Sequence, residues 1–189
     1  MPAPFRVGFV PGVMPGKWER TWHERKARRL ELVQVEVDDQ EAALREGQVQ
    51  MCLVRGQVDA GVFHLIPLYR EVPVVVVPKD HPVTAYDEID VAELTDELDV
   101  LSAHPGITVG EAIETVAAGT GIVIVPMSLA RLHQRRDVAF RPVTGVAESP
   151  VGLAWLRDRP AGASGEHDDP DIDVFIGIIR GRSPRSSRG

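Results

Sequence analysis

The chain has 189 residues, 43% of them apolar and 26% charged, with a formal net charge of −7. That length and balance suit one ordinary domain or two small lobes around a real core. The negative charge argues against the molecule as a whole being a nucleic-acid binder, which needs a concentrated basic surface.

Phe5-Arg6-Val7-Gly8-Phe9-Val10 alternates and is rich in β-branched and aromatic residues, so it reads as a strand. Pro11-Gly12-Val13-Met14-Pro15-Gly16 is a Gly/Pro-rich turn. Lys17 to Arg29 reads as a helix with Trp18 and Trp22, four apart, on one side. Leu30 to Val37 alternates again as a second strand. Asp38 and Glu41 stand at capping-box spacing ahead of a short helix through Leu44 that stops at Gly47. Gln50 to Val54 is a third, mostly apolar strand, the pattern of a parallel sheet covered on both faces. The first third therefore reads β-α-β-α-β.

Leu65–Tyr69 and Val72–Val77 add strand-like segments limited by Pro73 and Pro78. Lys79-Asp80-His81-Pro82 is a polar break. Val91 to Glu97 predicts a short helix, and Val100-Leu101-Ser102 a short strand before the turn Ala103-His104-Pro105-Gly106. Thr108 and Glu111 form a second capping box. It opens a helix with Ile113, Val116 and Ala117 on one face, ended by Gly119. Ile122–Pro126 reads as a strand and Ser128–Arg136 as a helix. Val138–Val143 and Val151–Leu156 read as two more strands. Arg157–Asp169 is a polar loop, and Asp169-Pro170-Asp171 starts a helix whose stripe is Ile172, Phe175, Ile176 and Ile179. Arg182–Gly189 is a Ser/Arg-rich tail expected to be disordered.

The one cysteine, Cys52, excludes an internal disulfide and fits a reducing compartment. Its apolar surroundings read as those of a small buried hydrophobe, not a nucleophile. The start Met1-Pro2-Ala3-Pro4-Phe5-Arg6 lacks the pattern of a secretory signal, and no apolar run approaches the length of a membrane span. A cytoplasmic protein is expected.

Four stretches together resemble the effector-binding domain of LysR-type transcriptional regulators. They are Phe5–Gly12; Glu41–Val49 running into Met51–Arg55; Ile66–Pro73 with Val74–Pro82; and Val116-Ala117-Ala118-Gly119-Thr120-Gly121-Ile122-Val123-Ile124-Val125-Pro126. The resemblance implies an α/β fold of the two-lobed, type 2 periplasmic-binding-protein kind. Lobe I would hold residues 1–80 and 146–181 and lobe II residues 81–145, with crossings near Lys79–Pro82 and Val146–Pro150. A small effector would lie between the lobes. Two departures from the family stand out. The chain starts at the first strand of the effector domain, where the family first carries a helix-turn-helix. Lobe II also looks shortened between Ser102 and Thr108.

On this reading the effector meets Gly12, Val13, Met14 and Gly16 of the first turn. There, helix N–H groups and dipole favour a carboxylate, and glycines let the backbone approach it. Arg55 and Gly56 follow the third strand on the usual ligand side of an α/β sheet, and Arg55 is either an anion partner or a solvated loop arginine. Ser102, Ala103, His104 and Thr108 are the lobe II candidates, Thr108 reading first as a cap and second as a contact. The basic residues of 17–29 read as a solvated face, with the tryptophans in the core or at a subunit contact. In the family, this helix and the next strand often help form a dimer.

The six histidines show no metal-ligand spacing, Glu166-His167-Asp168-Asp169 lacks the pattern of a calcium loop, and Ser102 has no nucleophile elbow. No cofactor, metal or catalytic centre is expected. The favoured function is a small-molecule sensor acting in transcription through a partner, as a homodimer or with a full-length regulator, and without touching DNA or membrane itself. A dimerisation module without a ligand is the first alternative, and an enzyme on the same fold the second.

Overall fold

The computed structural model describes residues 3–157 and 170–181. The chain divides into two units: Met1–Leu68 with Val151–Gly189, and Tyr69–Pro150. The first boundary falls at Tyr69, ahead of the crossing expected at Lys79–Pro82. The reason is the pairing of Val74–Pro78, whose hydrogen-bonded neighbours all lie in the second unit.

Unit 1 contains β1 (Phe5–Phe9), α1 (Gly16–Arg25), β2 (Leu30–Gln34), α2 (Gln40–Arg45), β3 (Met51–Arg55), most of β4 (Phe63–Glu71), β9 (Ser149–Leu156) and α6 (Pro170–Ile179). Its five-stranded sheet runs β2-β1-β3-β9-β4. β1 is parallel to β2 and to β3, with Val7 opposite Leu32 and Gly8 opposite Cys52, whereas β9 is antiparallel to β3 with Leu153 opposite Leu53. The apolar run of β3 thus reflects two covered faces and not strand direction alone. Met51 and Leu53 join Phe5, Trp22 and Phe175 on the α1/α6 face, while Cys52 and Val54 join Ala43 and Leu44 on the α2 face. That is the two-residue alternation of a strand with no solvent side.

α1 ends at Arg25, four residues short of the expected Arg29, because Lys26 takes an extended backbone. Trp22 is fully buried, stacked on Phe5 at 4.9 Å, and its indole N–H donates to the Arg28 carbonyl at 2.7 Å. Trp18 and Trp22 therefore both serve the core of unit 1. The Asp38/Glu41 capping box does not form. Val37–Asp39 is a 3-10 turn without a side-chain cap, and Glu41 instead accepts from the Asp59 amide and Arg45. In α6, Phe175 and Ile178 are buried, and Ile172, Ile176 and Ile179 pack half-buried beside them, so the stripe is rotated from the expected one. Asp169, the expected cap of α6, lies outside the described residues, as do Glu166–Asp168 and the 182–189 tail.

Unit 2 contains β5 (Pro73–Pro78), β6 (Ile89–Asp90), α3 (Val100–Ala103), α4 (Val109–Ala117), β7 (Val123–Pro126), α5 (Met127–Leu132) and β8 (Val138–Thr144), with sheet order β6-β8-β5-β7. β5 is buried on both faces: Val74 and Val76 pack with Ile113 and Val116 of α4, Val75 and Val77 with Leu94 and Ile122. Residues Val91–Leu94 form a 3-10 turn where a short helix is expected. The strand expected at Val100–Ser102 is the short helix α3. Asp99 caps it by accepting from the Leu101 amide at 3.3 Å, and an apolar run of two residues is too short to impose a strand period. The Thr108/Glu111 capping box of α4 is present.

Candidate functional site

The turn from β1 to α1 is built by backbone bonds. Val10 N–H donates to the Leu53 carbonyl at 3.1 Å, tying the turn to β3, and Val13 N–H returns to the Val10 carbonyl at 3.1 Å. Gly12 sits at φ 87°, a left-handed conformation that favours glycine. Pro15 is the N-cap residue, with no side-chain hydrogen bond, and its carbonyl accepts from Trp18 and Glu19. Gly16 opens the helix, and a Cβ there would meet nothing within 4 Å.

Arg55 is the last residue of β3 and only 7% exposed, so it is not a solvated loop arginine. Its Nη1 donates to the Pro11 carbonyl at 2.9 Å, which brings Arg55 to the turn. Gln40, also buried, acts as a substitute strand partner at the same point. Its Nε2 donates to the Arg55 carbonyl at 2.9 Å, and its Oε1 accepts from the Arg55 amide at 3.0 Å. Sequence reasoning missed Gln40; the available signal was an amide side chain at a helix position whose spacing faces the sheet. Gly56 follows at φ 85°.

The turn candidates separate by exposure. Val13 is buried in the core of unit 1, so its side chain is not available to a ligand. Met14 is 81% exposed, an unusual position for a thioether side chain. The Lys17 ammonium lies 4.5 Å above the Trp18 ring, adding positive charge beside the helix start.

In unit 2, Ser102 and Ala103 end α3 and His104 is its C-cap; all three are exposed. The Ser102 hydroxyl donates to Asp99 Oδ2 at 2.6 Å. The Thr108 hydroxyl donates to Glu111 Oε2 at 2.8 Å and accepts from the Glu111 amide at 3.2 Å, and the Thr108 amide donates to Glu111 Oε2 at 2.7 Å. These Thr108 bonds hold the Glu111 carboxyl below its ordinary range. Both hydroxyls therefore already serve helix starts.

Burial pushes the Cys52 thiol up to about 12, which leaves it protonated and inert. Among the described residues no group of three His, Cys, Asp or Glu side chains could hold a metal ion, and no helix is long and apolar enough to cross a membrane.

Residues 22–108 match the family model of the LysR substrate binding domain. The chain is 24% identical to the Hca operon transcriptional activator HcaR of Escherichia coli (strain K12), in an alignment covering 93% of this chain and 67% of that protein. It is 26% identical to the HTH-type transcriptional regulator CatR of Pseudomonas putida, covering 71% of this chain and 55% of that one. Among solved structures, the BenM effector binding domain with its effector benzoate superposes with a TM-score of 0.72 at 22% identity, over 94% of this chain and 90% of that one. Residues 22–108 thus resemble a LysR substrate binding domain, and the fold of the chain is that of the BenM effector binding domain. The chain spans about half to two thirds of the length of these curated regulators.

Proposed function

We propose that this domain senses a small carboxylate-bearing effector and that its output is transcriptional regulation through a partner in the cytoplasm, without catalysis. The observation that carries the reading is the β1–α1 turn. Its backbone is held by Arg55 and the Leu53 carbonyl of β3, it leads into an uncapped helix start, and it leaves open space at Gly16. Helix N–H groups and dipole suit an anion there. Gly12, Met14 and Gly16 would contact the effector in unit 1, with Val13 contributing backbone only. Arg55 and Gly56 would position the turn. Ser102, Ala103, His104 and Thr108 are the proposed contacts in unit 2, where backbone groups and the His104 ring are the better candidates because the two hydroxyls are engaged. The named relatives are regulators, and one fold neighbour carries benzoate, which supports the ligand class.

Thermal melts against a panel of aromatic and aliphatic carboxylates test this. A ligand at 100 times its Kd stabilises the fold by about 2.7 kcal/mol. Gly16→Ala puts a methyl group into the open space and leaves the unliganded melt unchanged or slightly raised. It should abolish the ligand shift. No shift with any carboxylate, or an undiminished shift in G16A, rejects the site.

The partner reading rests on charge. α1 carries exposed Lys17, Arg20 and Arg25, and a concavity of about 480 Å³ beside edge strand β2 and α2 is lined by Glu36, Asp39 and Glu46. Self-association through these faces should weaken with added salt in light-scattering measurements. A monomer at all salt concentrations that captures no regulator rejects it.

A further inference from the structure

Unit 2 carries a group of cations that effector sensing does not use. β5 ends at Pro78 opposite Val138, the first residue of β8, so the flanking residues Lys79 and Asp137 become neighbours. The Lys79 amide donates to the Asp137 carbonyl at 3.0 Å. Arg135 and Arg136 lie on the link from α5 to β8. Lys79, Arg135, Arg136 and Asp137 line a concavity of about 420 Å³.

The charges there are not balanced. Asp137 binds Arg135 through two bonds, Nε to Oδ1 at 3.0 Å and Nη2 to Oδ2 at 3.1 Å. Arg135 also lies 3.9 Å from Glu114. The hydrogen bond from Arg135, then the charges of Arg135 and Lys79, hold the Asp137 carboxyl below its ordinary range. It therefore stays ionised and fixes the Arg135 guanidinium. Lys79 and Arg136 are exposed and take part in no salt bridge among the described residues. Two cations outside any salt bridge among the described residues line one concavity in a chain whose net charge is −7. The attraction for an anion is therefore local and not a property of the whole surface.

We propose that this concavity binds a phosphate group, with Lys79 and Arg136 neutralising its charge and Arg135, held by Asp137, presenting the rim. A dianion matches two cations that form no salt bridge, and a guanidinium fork suits a tetrahedral oxyanion. The phosphate is that of a free ion or a small phosphate ester, and competition between inorganic phosphate and a sugar phosphate separates the two sources.

The test is an amide NMR titration of the full chain with inorganic phosphate, and with chloride at matched ionic strength. Saturable shifts confined to Lys79 and Arg135–Asp137, produced by phosphate and not by chloride, are expected. The double variant Lys79→Ala, Arg136→Ala replaces two exposed side chains. It should keep the spectrum of a folded protein and weaken phosphate binding about tenfold or more. Equal shifts in both salts, shifts that survive the double substitution, or a response to duplex DNA but not to phosphate would each overturn the proposal.

Discussion

Asp171 offers the sharpest test of how unit 1 is held together. It lies in the first turn of α6, is 5% exposed, and is gripped by Lys26 Nζ at 2.7 Å and Arg28 Nη1 at 2.8 Å. Arg28 also donates to the Ala3 carbonyl at 2.9 Å and lies over the Phe5 ring. One carboxylate thereby ties the last helix to the chain before β1 and after α1. Removing one member of a buried pair typically costs about 3–5 kcal/mol. Here the Lys26 and Arg28 side chains keep 31% and 24% of their exposure and can partly resolvate. Asp171→Asn should therefore cost about 2 kcal/mol, discounted for that solvent access. All three tryptophans, Trp18, Trp22 and Trp155, belong to unit 1, so fluorescence during urea unfolding follows the unit that carries the pair. The midpoint should fall by about 1 M for a slope of roughly 2 kcal/mol/M.

The pH dependence fixes the sign. Burial, the largest single influence, pushes the Asp171 carboxyl up. The hydrogen bonds and charges of Lys26 and Arg28 together outweigh it and hold the carboxyl below its ordinary 3.8. A folded value below the unfolded one gives stability that is complete above the unfolded value and is lost as pH falls through the folded one. The gap between wild type and D171N should thus be constant near neutrality and narrow only below about pH 4. A gap under about 0.5 kcal/mol at pH 7, within the range of ordinary surface changes, or one that narrows as pH rises, would refute this account.

Gly121→Ala should unfold unit 2 selectively, since its φ is +64° and a Cβ would collide with the Leu98 carbonyl. Circular dichroism against unchanged tryptophan fluorescence checks this, and a variant as stable as wild type would contradict it. Cys52 should resist alkylation at pH 8 in the native protein and react once urea is added, because its thiol is buried and held near 12. Rapid native labelling would show that β3 opens.

The strands were legible because their patterns are local. Phe5–Phe9, Leu30–Gln34 and Met51–Arg55 each declare themselves by alternation or by an unbroken apolar run. Strand direction was only half legible: β3 is buried equally by its parallel neighbour β1 and its antiparallel neighbour β9, and burial carries no sign of direction. The α3 error shows where periodicity fails. Val100 alone is fully buried in that segment, and the Asp99 cap decided the conformation. Asp38 and Asp99 each offer a carboxylate near a helix start, yet only Asp99 caps. Spacing suggests a cap, but the backbone approach decides whether the side chain can reach the N–H groups.

For the candidate site, sequence alone located the turn and its glycines but could not sort their neighbours. Val13 and Met14 are adjacent apolar residues in one turn, yet one is buried in the core and the other is 81% exposed. The Val13 amide turns back onto the Val10 carbonyl, and the Val13 side chain joins the core cluster of unit 1. Arg55 is the instructive residue. A charged residue after an apolar strand reads as a loop residue, but Arg55 pairs with Val151 of β9, and Gln40, fifteen positions earlier, bonds its amide and carbonyl. The guanidinium then spends at least one N–H on Pro11. A ligand at this turn would therefore meet a backbone already fixed by Arg55, so Arg55→Lys, which loses the planar fork, should loosen the turn and weaken binding even if the side chain never touches the ligand.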